Sequence, residues 1–154
     1  MGMLVLKKKR KRPGRGDIFV YKYEGVDYGF GRVIRTDVSM DPLSDLLLIY
    51  IYDAFSSDKE KIPELRKDRL LVPPALLIDN GPWGKGIFLT VKAQPLHQRD
   101  VLRCHCFRDE VFDCYVDEDG CRLARRRKPC GIYAAQSYVT IQAKISNALG
   151  LGSD

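Results

Sequence analysis

The chain has 154 residues, 45% hydrophobic and 30% charged, with a formal net charge of +6. That suits one domain able to bury a core without staples, and no apolar run approaches the ~20 residues of a membrane span. Five cysteines, an odd number confined to 104–130, argue against an evenly stapled secreted scaffold and fit reduced thiols in the cytoplasm.

The positive charge is concentrated. Of the 26 basic residues, seven lie in the leader between positions 7 and 15 and five between 122 and 128; the remaining 14 stand against 20 acidic residues. The body is therefore mildly acidic, which suits a basic partner. Residues 1–15, "MGMLVLKKKRKRPGR", put apolar residues before the charges and no apolar stretch after them, so they do not read as a secretory signal. They are expected to form a mobile basic leader to a single domain over 16–150.

Residues 17–23, "DIFVYKY", have strand composition. Glu24-Gly25-Val26-Asp27 can turn the chain, and 28–36, "YGFGRVIRT", read as the returning strand. Gly29 and Gly31 then share one face and leave a bare strip for a bend or a close approach. "LLLIYIY" (46–52) reads as a strand buried on both faces. "LLVPPALLI" (70–78) is apolar but carries Pro73-Pro74, as an edge or connecting segment would. After the turn signal at 79–82, residues 83–93 read as a strand, and 101–107 and 111–116 as two more, followed by a turn at 117–120. Apolar residues at 132, 135, 138, 141, 145 and 149 predict a C-terminal amphipathic helix stopped by Gly150 and Gly152. The expected fold is α+β and mainly β: a strongly bent antiparallel sheet or partly open small barrel, with one helix.

Candidate chemistry is sparse. Cys104-His105-Cys106 offers soft zinc ligands, but the spacing from it to Cys114, Cys121 and Cys130 does not make paired knuckles. The cysteines read as small core residues, with Cys104 and Cys106 on one strand face and His105 on the other; no metal or cofactor is expected. Neither His97 nor His105 has a nucleophile motif around it. Lys7, Lys8, Lys9 and Arg10, with Arg125, Arg126 and Arg127, could contact phosphates; if 122–128 were helical, Arg122 and Arg126 would share a face. "GPWGKG" holds the one tryptophan, Trp83, as core plug or recognition anchor, and lacks the Ser/Thr of a phosphate loop.

Gly16-Asp17-Ile18-Phe19 followed by Tyr28-Gly29-Phe30-Gly31-Arg32-Val33, then "VPPALLIDNGPWGKGIFLTVKAQPL" (72–96) and a Gly-led helix over 131–149, resemble the immunity protein 26 family of bacterial polymorphic toxin systems. The resemblance implies a non-enzymatic protein, made beside a toxin, that binds and neutralises it. Asp17, Tyr28, Arg32, Asp79 and Trp83 are the contact residues expected on that reading. Pro13-Gly14-Arg15-Gly16-Asp17-Ile18 also resembles the opening of small-barrel toxin endoribonucleases of the MazF type. That alternative implies an RNA-binding or RNA-cleaving barrel, with Arg32 or Arg35 at the active face.

Overall fold

The computed structural model describes residues 2–152. It holds nine strands in two sheets, neither of them closed. The larger sheet contains β1 (Ile18–Tyr21), β2 (Tyr28–Met40), β3 (Leu43–Ser56), β4 (Leu70–Leu77), β5 (Leu89–Lys92) and β9 (Ala135–Gln136), in the order β5-β1-β2-β3-β4-β9. The smaller contains β6 (Cys106–Asp109), β7 (Cys114–Val116) and β8 (Cys130–Ile132), in the order β7-β6-β8. A four-residue helix α1 (Gly81–Gly84) and the C-terminal helix α2 (Tyr138–Ala148) complete the chain. No helix is long and apolar enough to cross a membrane.

The apolar run in β3 explains the layering. Leu47, Ile49 and Ile51 point into one core with Phe19, Trp83, Phe88, Ile141 and Ile145. Leu46, Leu48, Tyr50 and Tyr52 point into another with Leu76, Phe107 and Val116. Alternate residues of a strand face opposite sides, so a strand covered on both sides is apolar at every position. Helix α2 covers the first face and the small sheet the second.

The bare strip on β2 is filled from β1. Phe19 lies opposite Gly31 and Tyr21 opposite Gly29. A Cβ on Gly31 would sit 2.3 Å from Phe19 Cζ, and one on Gly29 2.2 Å from Tyr21 Cζ. The glycines make room for two aromatic rings to lie across the hairpin, against Phe88 and, for Phe19, Trp83.

Several expectations need correction. Residues 70–77 form a strand paired with β3 along its length and with β9 at its end; the register breaks between Ile49 and Ile51, opposite the two prolines. Residues 81–93 divide into α1 and β5 rather than one strand. The helix starts at Tyr138, capped by Ser137, whose Oγ accepts from Thr140 N; Ile132 ends β8, the chain bends at 133–134, and Ala135–Gln136 form β9. Residues 121–129 are irregular, so Arg122 and Arg126 share no helix face. Among the cysteines only Cys106 is buried, while Cys121 is exposed and the other three are half-buried. Cys104 and His105 precede β6, which begins at Cys106, so the three do not alternate along one strand; His105 and Cys106 are both buried.

The leader packs along the domain. Met3 is buried and bridges to Tyr23. Backbone N–H groups of Leu4, Leu6 and Lys9 donate to the carbonyls of Lys22, Gly86 and Trp83. Asn80 Nδ2 donates to the Arg10 carbonyl and the Arg12 guanidinium to those of Thr36 and Asp45. Its apolar start anchors it, and the side chains of Lys7, Lys8, Lys9 and Arg10 stay exposed.

Candidate partner-binding site

The five residues singled out from the sequence do not converge. Asp17 closes the turn before β1, its Oδ2 accepting from Gly14 N at 2.9 Å. Tyr28 lies at the other end of the β1–β2 hairpin, half-exposed, with Lys22 Nζ 5.6 Å from its ring centroid. Asp79 is exposed and caps Gly81 N. Trp83 is a core plug, 2% exposed, with Nε1 donating to Thr90 Oγ1 at 3.1 Å.

Arg32 is also interior. Its Nε donates to the Gly16 carbonyl, one terminal nitrogen donates to those of Gln94 and Pro95, and the other lies 3.5 Å from Asp100 Oδ2. It fastens the segment after β5 to the main sheet. Arg35 is held by Asp37 and Asp119, and their carboxylates raise its guanidinium further. Arg32 is thus enclosed, while Arg35 lies partly exposed between two carboxylates.

Above these lies a cationic concave face. Two clefts of about 700 and 730 Å³ share Lys67 and Arg99. Among the described residues, Lys92, Arg99 and Arg103 pair with no carboxylate there. No Phe, Tyr or Trp lines either cleft, and His97 in the second is the one aromatic ring there among the described residues, so the faces on which a nucleic-acid base could stack are few.

The small sheet is tied to the large one through a buried polar chain that sequence reading missed. Leu102 N donates to Tyr50 Oη at 3.0 Å, Tyr50 Oη lies 2.5 Å from His105 Nε2, and His105 Nδ1 lies 2.5 Å from Glu118 Oε2. A neutral imidazole satisfies all of them when Nδ1–H donates to Glu118 and Nε2 accepts from Tyr50. Burial pushes the Glu118 carboxyl up, but the hydrogen bond to His105, with smaller help from its own backbone N–H and the Arg35 charge, outweighs it and holds the carboxyl below its ordinary 4.5. Burial also raises the Tyr50 hydroxyl, so it stays protonated and donates. Nothing short-range could reveal the chain, since its members come from β3, the approach to β6 and the turn after β7.

The β6–β7 hairpin projects from that anchored sheet. Arg108 pairs with Tyr115 and Asp109 with Cys114. In the turn, Asp109 Oδ1 accepts from Val111 N at 3.0 Å and Phe112 N at 3.2 Å. Asp113 takes the left-handed region, φ 53°, and its carboxylate pairs with Arg108. The local chain is thereby fixed, while Val111 is 85% and Phe112 72% exposed. The sequence signal was "RDEVFDC", an apolar pair bracketed by carboxylates; it reads as the start of a strand when only apolar content is counted.

No curated protein and no solved structure matches this chain. The family model described as Immunity protein 26 matches residues 14–113, which span the large sheet's first five strands, the cationic face and the hairpin up to Asp113; α2 lies outside the match. The chain belongs to the immunity protein 26 family.

Proposed function

We propose that this chain neutralises a cognate toxin in the cytoplasm by one-to-one occlusion, without catalysing a reaction, and that the 110–113 turn is its anchor. Family membership supports a toxin partner in general terms. The observation that carries the anchor is the turn itself: the two most exposed large apolar side chains among the described residues are adjacent, on backbone already ordered by Asp109. Exposed aromatic side chains on ordered backbone make good hot spots because little conformational entropy remains to be lost on binding.

Asp109, Glu110 and Asp113 surround the pair, against Arg108 alone. The complementary surface is an apolar pocket rimmed by Lys or Arg, as in a protein that handles polyanions. Tyr28, Asp17 and Asp79 are secondary contacts on this reading, and Arg32 and Trp83 act as scaffold. An interface of ordinary size would bury about 1,200–2,000 Å² in total.

The test is co-purification of the tagged chain with the product of the neighbouring gene, wild type against Val111→Ser/Phe112→Ala. A one-to-one complex that relieves toxicity and weakens roughly 30-fold in the double variant, with unchanged Tm, is expected. A complex of undiminished affinity would remove the anchor. No complex, with salt-sensitive retention of RNA, would remove the immunity mechanism and favour the cationic face as a nucleic-acid surface.

A further inference from the structure

Cys106 and Cys130 face each other as register partners in the parallel β6–β8 ladder, and their Sγ atoms are 3.0 Å apart. Each is one of five thiols, but no other pair is brought together in this way among the described residues. Cys106 is fully buried, while Cys130 is half-buried and opens on a cleft of about 540 Å³ lined also by Lys67, Leu70 and Lys128. Backbone N–H of Arg127 donates to Cys106 Sγ at 3.4 Å, and the Arg126 guanidinium lies against the Cys130 thiol.

We propose that Cys106 and Cys130 are a redox modification site: a hydroperoxide entering from the Cys130 side converts the pair to an intramolecular disulfide. The sulfur of Cys130 attacks one peroxide oxygen, forming an S–O bond and breaking O–O. With hydrogen peroxide, the departing hydroxide takes the Cys130 proton and leaves as water. Cys106 sulfur then attacks the sulfenic sulfur of Cys130; the S–S bond forms, S–O breaks, and the second oxygen leaves as water with the Cys106 proton. Two electrons pass from two thiols to one peroxide, which becomes two waters.

The register already supplies the closeness that a disulfide needs, so no strand has to move far. The bond would close the loop that carries Arg122 to Lys128 and tie β6, the base of the exposed hairpin, to β8. Burial, followed by the neighbouring Cys106 thiol, pushes the Cys130 thiol up to about 11. Thiolate is the reacting species. The site is therefore slow at neutral pH, and its rate should rise roughly tenfold per pH unit between 7 and 9.

The full-length protein is treated with hydrogen peroxide, its remaining thiols are alkylated after unfolding, and peptides are mapped by mass. The expected product lacks two hydrogens, carries a Cys106–Cys130 link, and melts roughly 5–10 °C higher until a dithiol reductant is added. Cys130→Ser, at the half-buried position, should keep the fold and lose both the link and the shift. Alkylatable Cys106 and Cys130 after peroxide treatment would overturn the proposal. So would oxidation confined to exposed Cys121, or a link between any other pair.

Discussion

Tyr50 shows how much depends on single polar atoms in this molecule. Its hydroxyl accepts from Leu102 N and meets His105 Nε2 in a buried site. Tyr50→Phe would leave both groups unsatisfied, so it should cost about 1–3 kcal/mol, read as a lower urea midpoint at unchanged slope. Glu118 adds a pH dependence. Its folded-state carboxyl is held below 4.5 by His105, so its contribution is present above that value and is lost as pH falls through the lower folded one. Thermal scans from pH 6 to pH 3 should show Tm falling, and Glu118→Gln should flatten that fall. An equally steep acid limb in the variant would place the dependence elsewhere.

At the level of elements, the β1–β2 hairpin is the most specified part of the chain. Its glycines are space for rings rather than points of flexibility. Gly31→Ala would place a Cβ 2.3 Å from Phe19 Cζ and 2.8 Å from the Tyr50 carbonyl oxygen. One of the two is a ring held by Trp83 and Phe88 and the other is backbone, so neither yields easily. Overpacking of this kind costs about 1–3 kcal/mol. Gly84→Ala, with open space around it, is the control that should stay near neutral. Equal midpoints for the two would show that the sheet absorbs the methyl group. The strip was legible because alternate strand residues share a face; what occupies it was not, since the rings come from the partner strand.

Across the whole molecule the leader and α2 close one face together. Met3 N donates to Gln142 Oε1 at 2.6 Å, and Tyr23, the Met3 bridge partner, accepts from Ser146 Oγ at 2.8 Å and donates to the Gln142 carbonyl at 3.1 Å. Removing residues 1–9 should therefore destabilise the domain by about 2–4 kcal/mol, from the lost Met3 burial and its hydrogen bonds. A mobile tail would leave the urea midpoint unchanged. The basic side chains play little part in that docking, so Lys7→Ser and Lys8→Ser together should leave stability unchanged within about 0.5 kcal/mol.

Local rules carried the reading a long way. Composition and period identified β1, β2, β3 and the last helix, since a doubly covered strand is apolar throughout and a helix repeats every three to four residues. The ordered motif around Gly16–Val33 pointed to the family, because a hairpin whose glycines must match opposing rings constrains spacing. Tertiary structure decided the rest. It alone placed Arg32 and Trp83 inside, brought Tyr50, His105 and Glu118 into one chain, set Cys106 against Cys130 and left Val111 and Phe112 outside. The physical reason is that burial and pairing between distant segments depend on which faces meet, and the identity of a residue does not state that.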